Sequence, residues 1–194
     1  MKNILIILAI LAAFGLYFMG TYNKLVKADE AVKSAWAQVE NVYQRRLDLI
    51  PNLVETVKGY AAHESETLQA VVEARSKISE VKIASDVVNN PQALEQFQQM
   101  QGQLSSALSR LMVVVEKYPD LKANTNFLAL QSQLEGTENR IAVERRRFNE
   151  ISQEFNTIIR VFPNVLMARL FGFTEKTYFK ADAGAEKAPA VKFK

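Results

Sequence analysis

The apolar and polar positions of the chain follow two different patterns, and the change between them falls near residue 21. From Ile4 to Gly20 the sequence is almost entirely apolar and carries no charge. At a rise of about 1.5 Å per residue, a helix of this length crosses most of a hydrocarbon core that is roughly 30 Å thick. The pattern therefore predicts a transmembrane anchor over residues 1–21.

A cleaved signal peptide is the alternative interpretation of this run, because a single lysine before an apolar core fits both. Bulky residues occupy the positions where a cleavage site needs small ones. Tyr17 and Tyr22 also stand where interfacial aromatic residues mark the end of a spanning helix. A retained anchor is the favoured interpretation.

The lysines near the anchor indicate on which side of the membrane the rest of the chain lies. Lys24, Lys27 and Lys33 follow the apolar run, whereas Lys2 alone precedes it. Positive residues close to a spanning helix favour the cytoplasmic side. We therefore expect the remainder of the chain to lie in the cytoplasm.

After the anchor the apolar residues follow a helical repeat, which is clearest late in the chain. Large apolar residues recur every seven positions and others fill the interleaved positions, so that one seam faces a partner helix. Two polar residues, Thr137 and Glu144, interrupt the interleaved set. The apolar residues of the seam are Phe127, Leu130, Leu134, Ile141, Phe148, Ile151, Phe155, Ile158 and Phe162.

Helix is the favourable state nearly everywhere after the anchor, because glycine and proline are scarce. Only three glycines and three prolines occur between Tyr22 and Phe162. Prolines 91, 119 and 163 mark breaks between helices. We predict an all-α domain over residues 22–180, with helices at about 22–47, 51–84, 91–117 and 124–162.

Pro51 is the ambiguous break in this scheme. It either kinks one long helix or begins a new helix after Asp48, which would act as the N-terminal cap. A continuous helix from the membrane to Ala84 would be on the order of 90 Å long, more than two later helices could cover. A turn near Leu49 to Pro51 is therefore favoured, and it gives an up-and-down four-helix bundle after the transmembrane helix.

A short apolar segment follows the fourth helix, at the end of the bundle that returns toward the membrane. Two interpretations fit it equally: an interfacial helix resting on lipid or on a partner's hydrophobic surface, or a cap that closes the open end of the bundle. The composition of residues 181–194 predicts a disordered tail. The apolar residues of the segment are Phe162, Val165, Leu166, Leu170, Phe171 and Phe173.

Composition and charge argue against several classes of function. The net charge of +3 is small, and basic residues are mixed with acidic ones along the same helices, so nucleic acid is not an expected partner. No cysteine is present to form a disulfide, a thiolate zinc site or a nucleophile. His63 is the only histidine, too few for the paired Glu-x-x-His motifs of a di-iron bundle. We expect no metal, no cofactor, no catalytic residues and no enzymatic activity.

Arg46 is a charged residue that falls on the apolar seam of the first helix. Glu144 occupies a polar position in the seam of the fourth helix. An ion pair between them would fix the register of the bundle at little net gain in stability, because desolvation offsets much of the attraction. The Arg46–Glu144 pair is a hypothesis that the structure can test.

Several motifs are distributed between the anchor and Phe179. They are Tyr22-Asn23-Lys24-Leu25-Val26, Arg45-Arg46-Leu47-Asp48-Leu49-Ile50-Pro51-Asn52-Leu53-Val54, Val57-Lys58-Gly59-Tyr60 with His63-Glu64, Glu73-Ala74-Arg75-Ser76, Tyr118-Pro119-Asp120-Leu121-Lys122-Ala123, Asn126-Phe127, Leu134-Glu135-Gly136-Thr137-Glu138-Asn139-Arg140-Ile141, Phe162-Pro163 and Phe171-Gly172-Phe173. Together they resemble the LemA family of bacterial membrane-anchored proteins. One departure is Phe148-Asn149, where the family more usually has Tyr-Asn.

The resemblance implies an N-terminal transmembrane helix in the bacterial cytoplasmic (inner) membrane and a four-helix bundle. It supplies no catalytic residue. The polar residues within the motifs are candidates either for a partner surface or for a buried network. They are Arg45, Arg46, Asp48, Asn52, Glu135, Glu138, Asn139 and Arg140, and the seam adds Glu144.

Three functions remain, a favoured one and two alternatives. The favoured one is a membrane-anchored, non-enzymatic scaffold or adaptor that binds other envelope proteins or its own copies as a homo-oligomer, with membrane lipid contacted through the N-terminal helix. Tethering raises the effective concentration at the membrane, so modest contacts suffice. The alternatives are a lipid-binding protein that maintains the membrane, acting through its apolar segment, and an enzyme with carboxylates and arginines between the helices. The single histidine and the lack of cysteine disfavour the enzyme.

Overall fold

One helix leads from the apolar N-terminus into the folded domain without a break. The computed structural model describes residues 2–80 and 87–180, except the side chain of Glu80. The first helix, α1, spans Lys2–Lys58, and burial along it begins at Thr21. The apolar side chains before Thr21 are exposed, and the helix is long and apolar enough to cross a membrane.

The rest of the described chain is also helical. No strand occurs within residues 2–80 and 87–180, and the all-α prediction is confirmed. The side chains of Asn90 and Asn124 accept backbone N–H groups at the starts of the third and fifth helices, which is why those helices begin there. The helices are α2 (Ser65–Glu80), a 3-10 turn (Val87–Asn89), α3 (Pro91–Val115), α4 (Pro119–Lys122), α5 (Thr125–Arg160) and α6 (Asn164–Leu170).

The predicted turn at Leu49 to Pro51 is wrong, because α1 continues through Pro51 to Lys58. The chain reverses over residues 59–64 instead, and the second helix begins at Ser65 rather than at position 51. The third and fourth long helices end at Val115 and Arg160, two residues earlier than predicted. Positions 81–84 of the predicted second helix and the predicted tail over 181–194 lie outside the described residues.

Pro51 is accommodated inside α1 because another side chain replaces the hydrogen bond that it removes. A proline at position 51 leaves the carbonyl of Leu47 without its helical N–H partner. Arg75 on α2 donates its Nε–H to that carbonyl, with a nitrogen-to-oxygen distance of 3.0 Å. Ile50 and Leu53, on either side of the proline, are both fully buried. The apolar seam of α1 therefore continues in phase through the proline.

The lengths of the helices also remove the objection to a long first helix. Residues 21–58 of α1 extend about 57 Å beyond the apolar run, at 1.5 Å per residue. The 36 residues of α5 span about 54 Å and pack along α1 in the opposite direction. The argument against a long first helix assumed that it would reach Ala84. Instead α1 ends at Lys58, and α5 is long enough to cover its folded part.

The helices pack around two hydrophobic cores that differ in composition: α1, α3 and α5 contribute to both, α2 to the distal core, and α6 to the proximal core. The proximal core, next to the apolar run, is rich in aromatic residues, whereas the distal core is mainly aliphatic. The proximal core includes Leu25, Val32, Trp36, Val39, Tyr43, Phe97, Ile141, Phe148, Phe155, Ile159 and Phe179. The distal core includes Leu47, Ile50, Leu53, Val57, Leu68, Val71, Leu104, Leu111, Phe127 and Leu134.

The heptad seam of the fourth long helix is buried as far as α5 extends. Phe127, Leu134, Ile141, Phe148 and Phe155 all lie in one of the two cores. The prediction is wrong for its last member: Phe162 is 79 % exposed, because α5 ends at Arg160 and the chain turns away before Phe162 can reach the core.

Candidate functional site

Arg46 lies at the boundary between the two cores and is almost completely buried, with 2 % of its surface exposed. Its Nη2 donates a hydrogen bond of 2.7 Å to Oγ of Ser105 on α3. Its Nε lies 3.0 Å from Oε1 of Glu138 on α5. Burial lowers the pKa of the guanidinium, and the nearby Glu138 carboxylate opposes that shift. One arginine therefore ties α1 to two other helices.

The predicted pair between Arg46 and Glu144 is wrong, and the register of α1 against α5 explains why. Trp36 faces Phe148 in the proximal core, with ring centroids 5.5 Å apart. Because the two helices are antiparallel, ten residues further along α1 corresponds to ten residues back along α5, which brings Arg46 to Glu138. Glu144 is half-buried, and its Oε2 lies 3.9 Å from Nη1 of Arg147 on its own helix.

Gln101 joins Arg46, Ser105 and Glu138 to form what we call the polar layer. Only 4 % of its surface is exposed, and neither its amide nitrogen nor its amide oxygen has a hydrogen-bond partner in the described protein. A cavity of about 90 Å³ borders Gln101, Arg46 and Ser105, which is enough space for water to satisfy both atoms. The polar layer thus interrupts the hydrophobic interior between the two cores.

Most of the other polar residues chosen from the sequence lie on the surface. Asp48 accepts a hydrogen bond from Gln44, and Glu135 accepts one from Gln131, both within their own helices. The structure therefore brings only Arg46 and Glu138 of the predicted set together. The remaining exposed members are Arg45, Asp48, Asn52, Glu135, Asn139 and Arg140.

A groove of about 310 Å³ runs between α3 and α5 on the outer side of the polar layer. Leu108, Met112 and Leu134 form its apolar lining, and Glu135 and Glu138 stand on its α5 side. The side chain of Glu138 therefore contacts the buried Arg46 and also lines the surface groove.

The apolar segment after α5 lies beside the end of the apolar N-terminal run. The ring of Phe171 is 4.7 Å from that of Tyr22, which follows the run directly on α1. Met167 and Ala168 face inward and are buried. Of the predicted residues, Val165 and Phe173 are half-buried, whereas Phe162, Leu166, Leu170 and Phe171 are exposed. The segment closes the proximal core with one face and presents apolar side chains on the other.

Beyond Gly172 the chain runs back along the domain as an extended C-terminal segment, residues 173–180. Gly172 has a φ of +74°, a conformation that glycine adopts without strain and that turns the chain out of α6. Two asparagines of α5 hold the segment. Asn156 pairs with the backbone N–H and C=O of Lys176, and Asn149 does the same with Phe179.

Lys176 is a second buried cation, and the sequence reasoning missed it. Its Nζ lies 2.6 Å from Oδ1 of Asp29 and 2.8 Å from Oδ1 of Asn89, above the ring of Phe155. Burial acts to raise the pKa of Asp29, but hydrogen bonds from Lys176 and Lys33 outweigh it, so the pKa is lowered.

The residues that hold the C-terminal segment have one signal in the sequence that was available but not used. The dipeptide Phe-Asn occurs at 148–149 and again at 155–156, seven residues apart. Each phenylalanine belongs to the seam, so the asparagine after it lies at the edge of the same helix face. A polar residue repeated beside a seam indicates that another part of the chain packs along that edge of the helix. Here that part is the C-terminal segment.

Comparison with known proteins gives the family of the chain. A sequence model described as the LemA family matches residues 35–193. The chain belongs to the LemA family. It is 25 % identical over 178 residues to Protein LemA of Metamycoplasma hominis, a match covering 92 % of this chain and 77 % of that relative.

Two magnetosome proteins are also similar to this LemA-family chain. Magnetosome protein MamQ of Magnetospirillum gryphiswaldense is 26 % identical, with 87 % of this chain and 68 % of the relative covered. Magnetosome protein MamQ 2 of Paramagnetospirillum magneticum is 26 % identical, with 82 % and 64 % covered. No catalytic family is indicated by these names. Within the described ranges, no cluster of His, Cys, Asp and Glu side chains is suited to hold a metal ion.

Proposed function

We propose that this protein is a membrane-anchored, non-enzymatic scaffold of the bacterial envelope, which binds other envelope proteins or further copies of itself. In this proposal residues 1–21 are the anchor and residues 22–180 form an up-and-down four-helix bundle. The apolar N-terminal helix and the magnetosome relatives support a membrane protein. The inner membrane and a cytoplasmic position of the bundle are parts of the proposal that rest on the sequence alone.

One observation carries the proposal: α1 belongs both to the apolar run and to the two hydrophobic cores. Cleavage after the apolar run would cut within this helix, next to the buried Thr21. A continuous helix also holds the bundle upright on its anchor instead of leaving it on a flexible linker. Such an arrangement presents a fixed surface at a fixed height, which suits a scaffold.

The partner surface in this proposal is the outer face of α5 with the neighbouring α3–α5 groove. Glu135, Asn139 and Arg140 are exposed there, and Leu108 and Met112 supply apolar contact area in the groove. Binding modules that are confined to a membrane need only modest affinity, because their effective concentration is high.

The test is chemical crosslinking of the full-length protein in intact membranes, followed by mass spectrometry. We expect reproducible links from the α5 face to another protein or to a second copy. A variant with Glu135→Ala, Asn139→Ala and Arg140→Ala should lose them, whereas Arg146→Ala with Arg147→Ala, on exposed positions nearer the membrane, should not. A protein that gives no intermolecular link in either form is not a scaffold.

A second role, direct contact with lipid by α6, is favoured by the position of Phe171 against Tyr22. It places exposed Leu166 and Leu170 near the level at which the anchor leaves the membrane. The chain has no cysteine, so Leu166→Cys gives a single labelling site. A fluorophore there should be quenched by quenchers attached to lipid, whereas one at Leu128→Cys, at the distal end, should not. Equal quenching at both sites would contradict the lipid contact.

A further inference from the structure

The C-terminal segment lies in a groove formed by Asp29 and Trp36 of α1 and by Asn149 and Asn156 of α5. We propose that this groove is an exchangeable peptide site, and that its second occupant is the same segment of a neighbouring copy of this chain. The proposal deepens the scaffold function above and rests on it for the self-association of copies. It names the contact through which two copies join.

The groove recognises the backbone of the segment, not only its side chains. Asn156 accepts the N–H of Lys176 at 2.7 Å and donates to its C=O at 2.9 Å. Asn149 accepts the N–H of Phe179 at 2.8 Å and donates to its C=O at 3.0 Å. Each amide thus satisfies both polar groups of one residue, as a neighbouring strand would. Contacts of this kind bind any extended peptide that reaches them.

The spacing of the two asparagines matches the repeat of an extended peptide. Seven residues of α5 separate Asn149 from Asn156, a rise of about 10.5 Å. Three residues separate Lys176 from Phe179, and three residues of an extended polyproline-like chain rise about 9.3 Å. The most buried residues follow the same repeat of three, since Lys176 and Phe179 are buried and Phe173 is half-buried, while Thr174, Glu175 and Tyr178 are exposed. Thr177 is also half-buried, and it donates its N–H to the carbonyl of Val88.

The side chains that face the groove define the class of ligand. The ring of Phe179 stacks on Trp36 with centroids 5.9 Å apart, and the guanidinium of Arg145 lies 4.8 Å above it. Lys176 reaches Asp29 and Asn89 in a pocket of opposite charge. The site therefore accepts an extended peptide with an aromatic residue, a lysine three positions later and a second aromatic residue three positions after that.

A neighbouring copy is the occupant that fits this class. It supplies the same pattern, and its anchor holds its segment at the same height above the membrane. Asp29 and Trp36 stand roughly 14 to 24 Å beyond Gly20 along α1. Inside one chain the segment follows α6 and the turn at Gly172, and the N–H of Phe173 bonds to the carbonyl of Ala168. An exchange therefore gives up that bond, keeps the contacts of Lys176 and Phe179, and needs the connection to swing outward.

The experiment uses two full-length variants reconstituted together in lipid vesicles. One carries Tyr178→Cys on the segment, and the other carries Gln153→Cys on α5; both residues line the same surface depression. No other cysteine is present. A short bismaleimide should join the two variants at a yield at least about fivefold above that of Leu128→Cys paired with Gln153→Cys, which measures random collision within the membrane. Adding Lys176→Ala and Phe179→Ala to the segment should return the yield to that background.

A single chain with both Tyr178→Cys and Gln153→Cys reports whether the segment lies in the groove at all. Efficient links within that chain, together with links between chains at background, would overturn the exchange. No link in either arrangement would overturn it as well. A lysine-reactive crosslinker in the same vesicles measures self-association by any route, so dimers seen with that reagent alone would overturn the exchange and leave the scaffold function standing.

Discussion

The proximal and distal cores share α1, α3 and α5 but are closed in different ways. The distal core is closed by short local turns, where Tyr60 pairs with Asn124 and Tyr118 with Glu64. The proximal core is closed by the C-terminal segment, which inserts Phe179 between Trp36 and Phe148. The half nearest the apolar run therefore depends on residues close to the other end of the described chain.

The largest expected difference between the halves comes from Trp36. Trp36→Ala removes an indole that contacts Phe97, Phe148 and Phe179 and should lower the free energy of unfolding by about 3–5 kcal/mol. Leu53→Ala in the distal core should cost about 2–5 kcal/mol. Only the Trp36 variant should also speed hydrogen exchange at the amides of Lys176 and Phe179. Equal protection of those amides in both variants would show that the segment does not depend on the proximal core.

The polar layer between the cores should respond differently to two substitutions of Arg46. Arg46→Ala leaves Ser105 without its partner and opens a cavity, so we expect a loss of about 1–3 kcal/mol in urea unfolding. Glu138 is 47 % exposed and can be solvated, which keeps the loss moderate. Arg46→Met also removes the hydrogen bond to Ser105, but it fills the space without a charge, so its loss of stability should be smaller than that of alanine or absent. A loss as large for methionine as for alanine would mean that the polar contacts of Arg46, and not the space it fills, stabilise the fold.

The distal core can be tested through Pro51 and Arg75. Arg75→Ala should cost about 1.5–3 kcal/mol, because the Leu47 carbonyl loses its charged donor. In a Pro51→Ala background the backbone N–H of residue 51 is restored, so the same substitution should cost less. Urea unfolding of the two single variants and the double variant gives the coupling energy, expected at about 0.5–1 kcal/mol or more. Additive effects would show that Arg75 does not compensate for the proline.

The smallest expected effect is a change with pH in the stability of the proximal core, where Asp29 pairs with Lys176. The pKa of Asp29 is lowered in the folded protein, so its contribution to stability is complete above the ordinary Asp pKa of about 3.9 and is lost as the pH falls through the folded value. Protection of the C-terminal segment in hydrogen exchange should therefore decrease below about pH 4. Asp29→Asn should show less protection at neutral pH and a flatter profile in that range. An unchanged profile would contradict the role of this ion pair.

Local periodicity explains what the sequence could predict. The apolar N-terminal helix follows from an unbroken apolar run, and the α5 seam from residues three, four or seven positions apart on one helix. Both patterns can be recognised without knowing which helix packs against them. The same reasoning recognised Arg46 as a seam residue. It named Glu138 as a candidate but could not identify it as the partner of Arg46, because the choice between Glu138 and Glu144 depends on the register between two helices that are distant in sequence.

The failures involve side chains that act across the fold. Pro51 looked like a turn because the donor that satisfies Leu47 lies on another helix, at Arg75. The C-terminal segment has no helical or strand repeat, and its site is formed by asparagines of α5. A repeat of three residues in a short stretch is a weak pattern. It predicts a contact only when it is compared with the separation of Asn149 and Asn156 on α5.

The unbroken α1 also couples the length of the apolar helix to the angular position of the folded domain. Because α1 is continuous through Gly20 and Thr21, each residue inserted there would move the domain by about 1.5 Å along the helix axis and rotate it by about 100° about that axis. Four insertions would nearly restore the original facing, and two would turn the α5 face almost to the opposite side. The number of residues between the apolar run and the first buried side chain, Thr21, therefore fixes the direction in which the α5 face points.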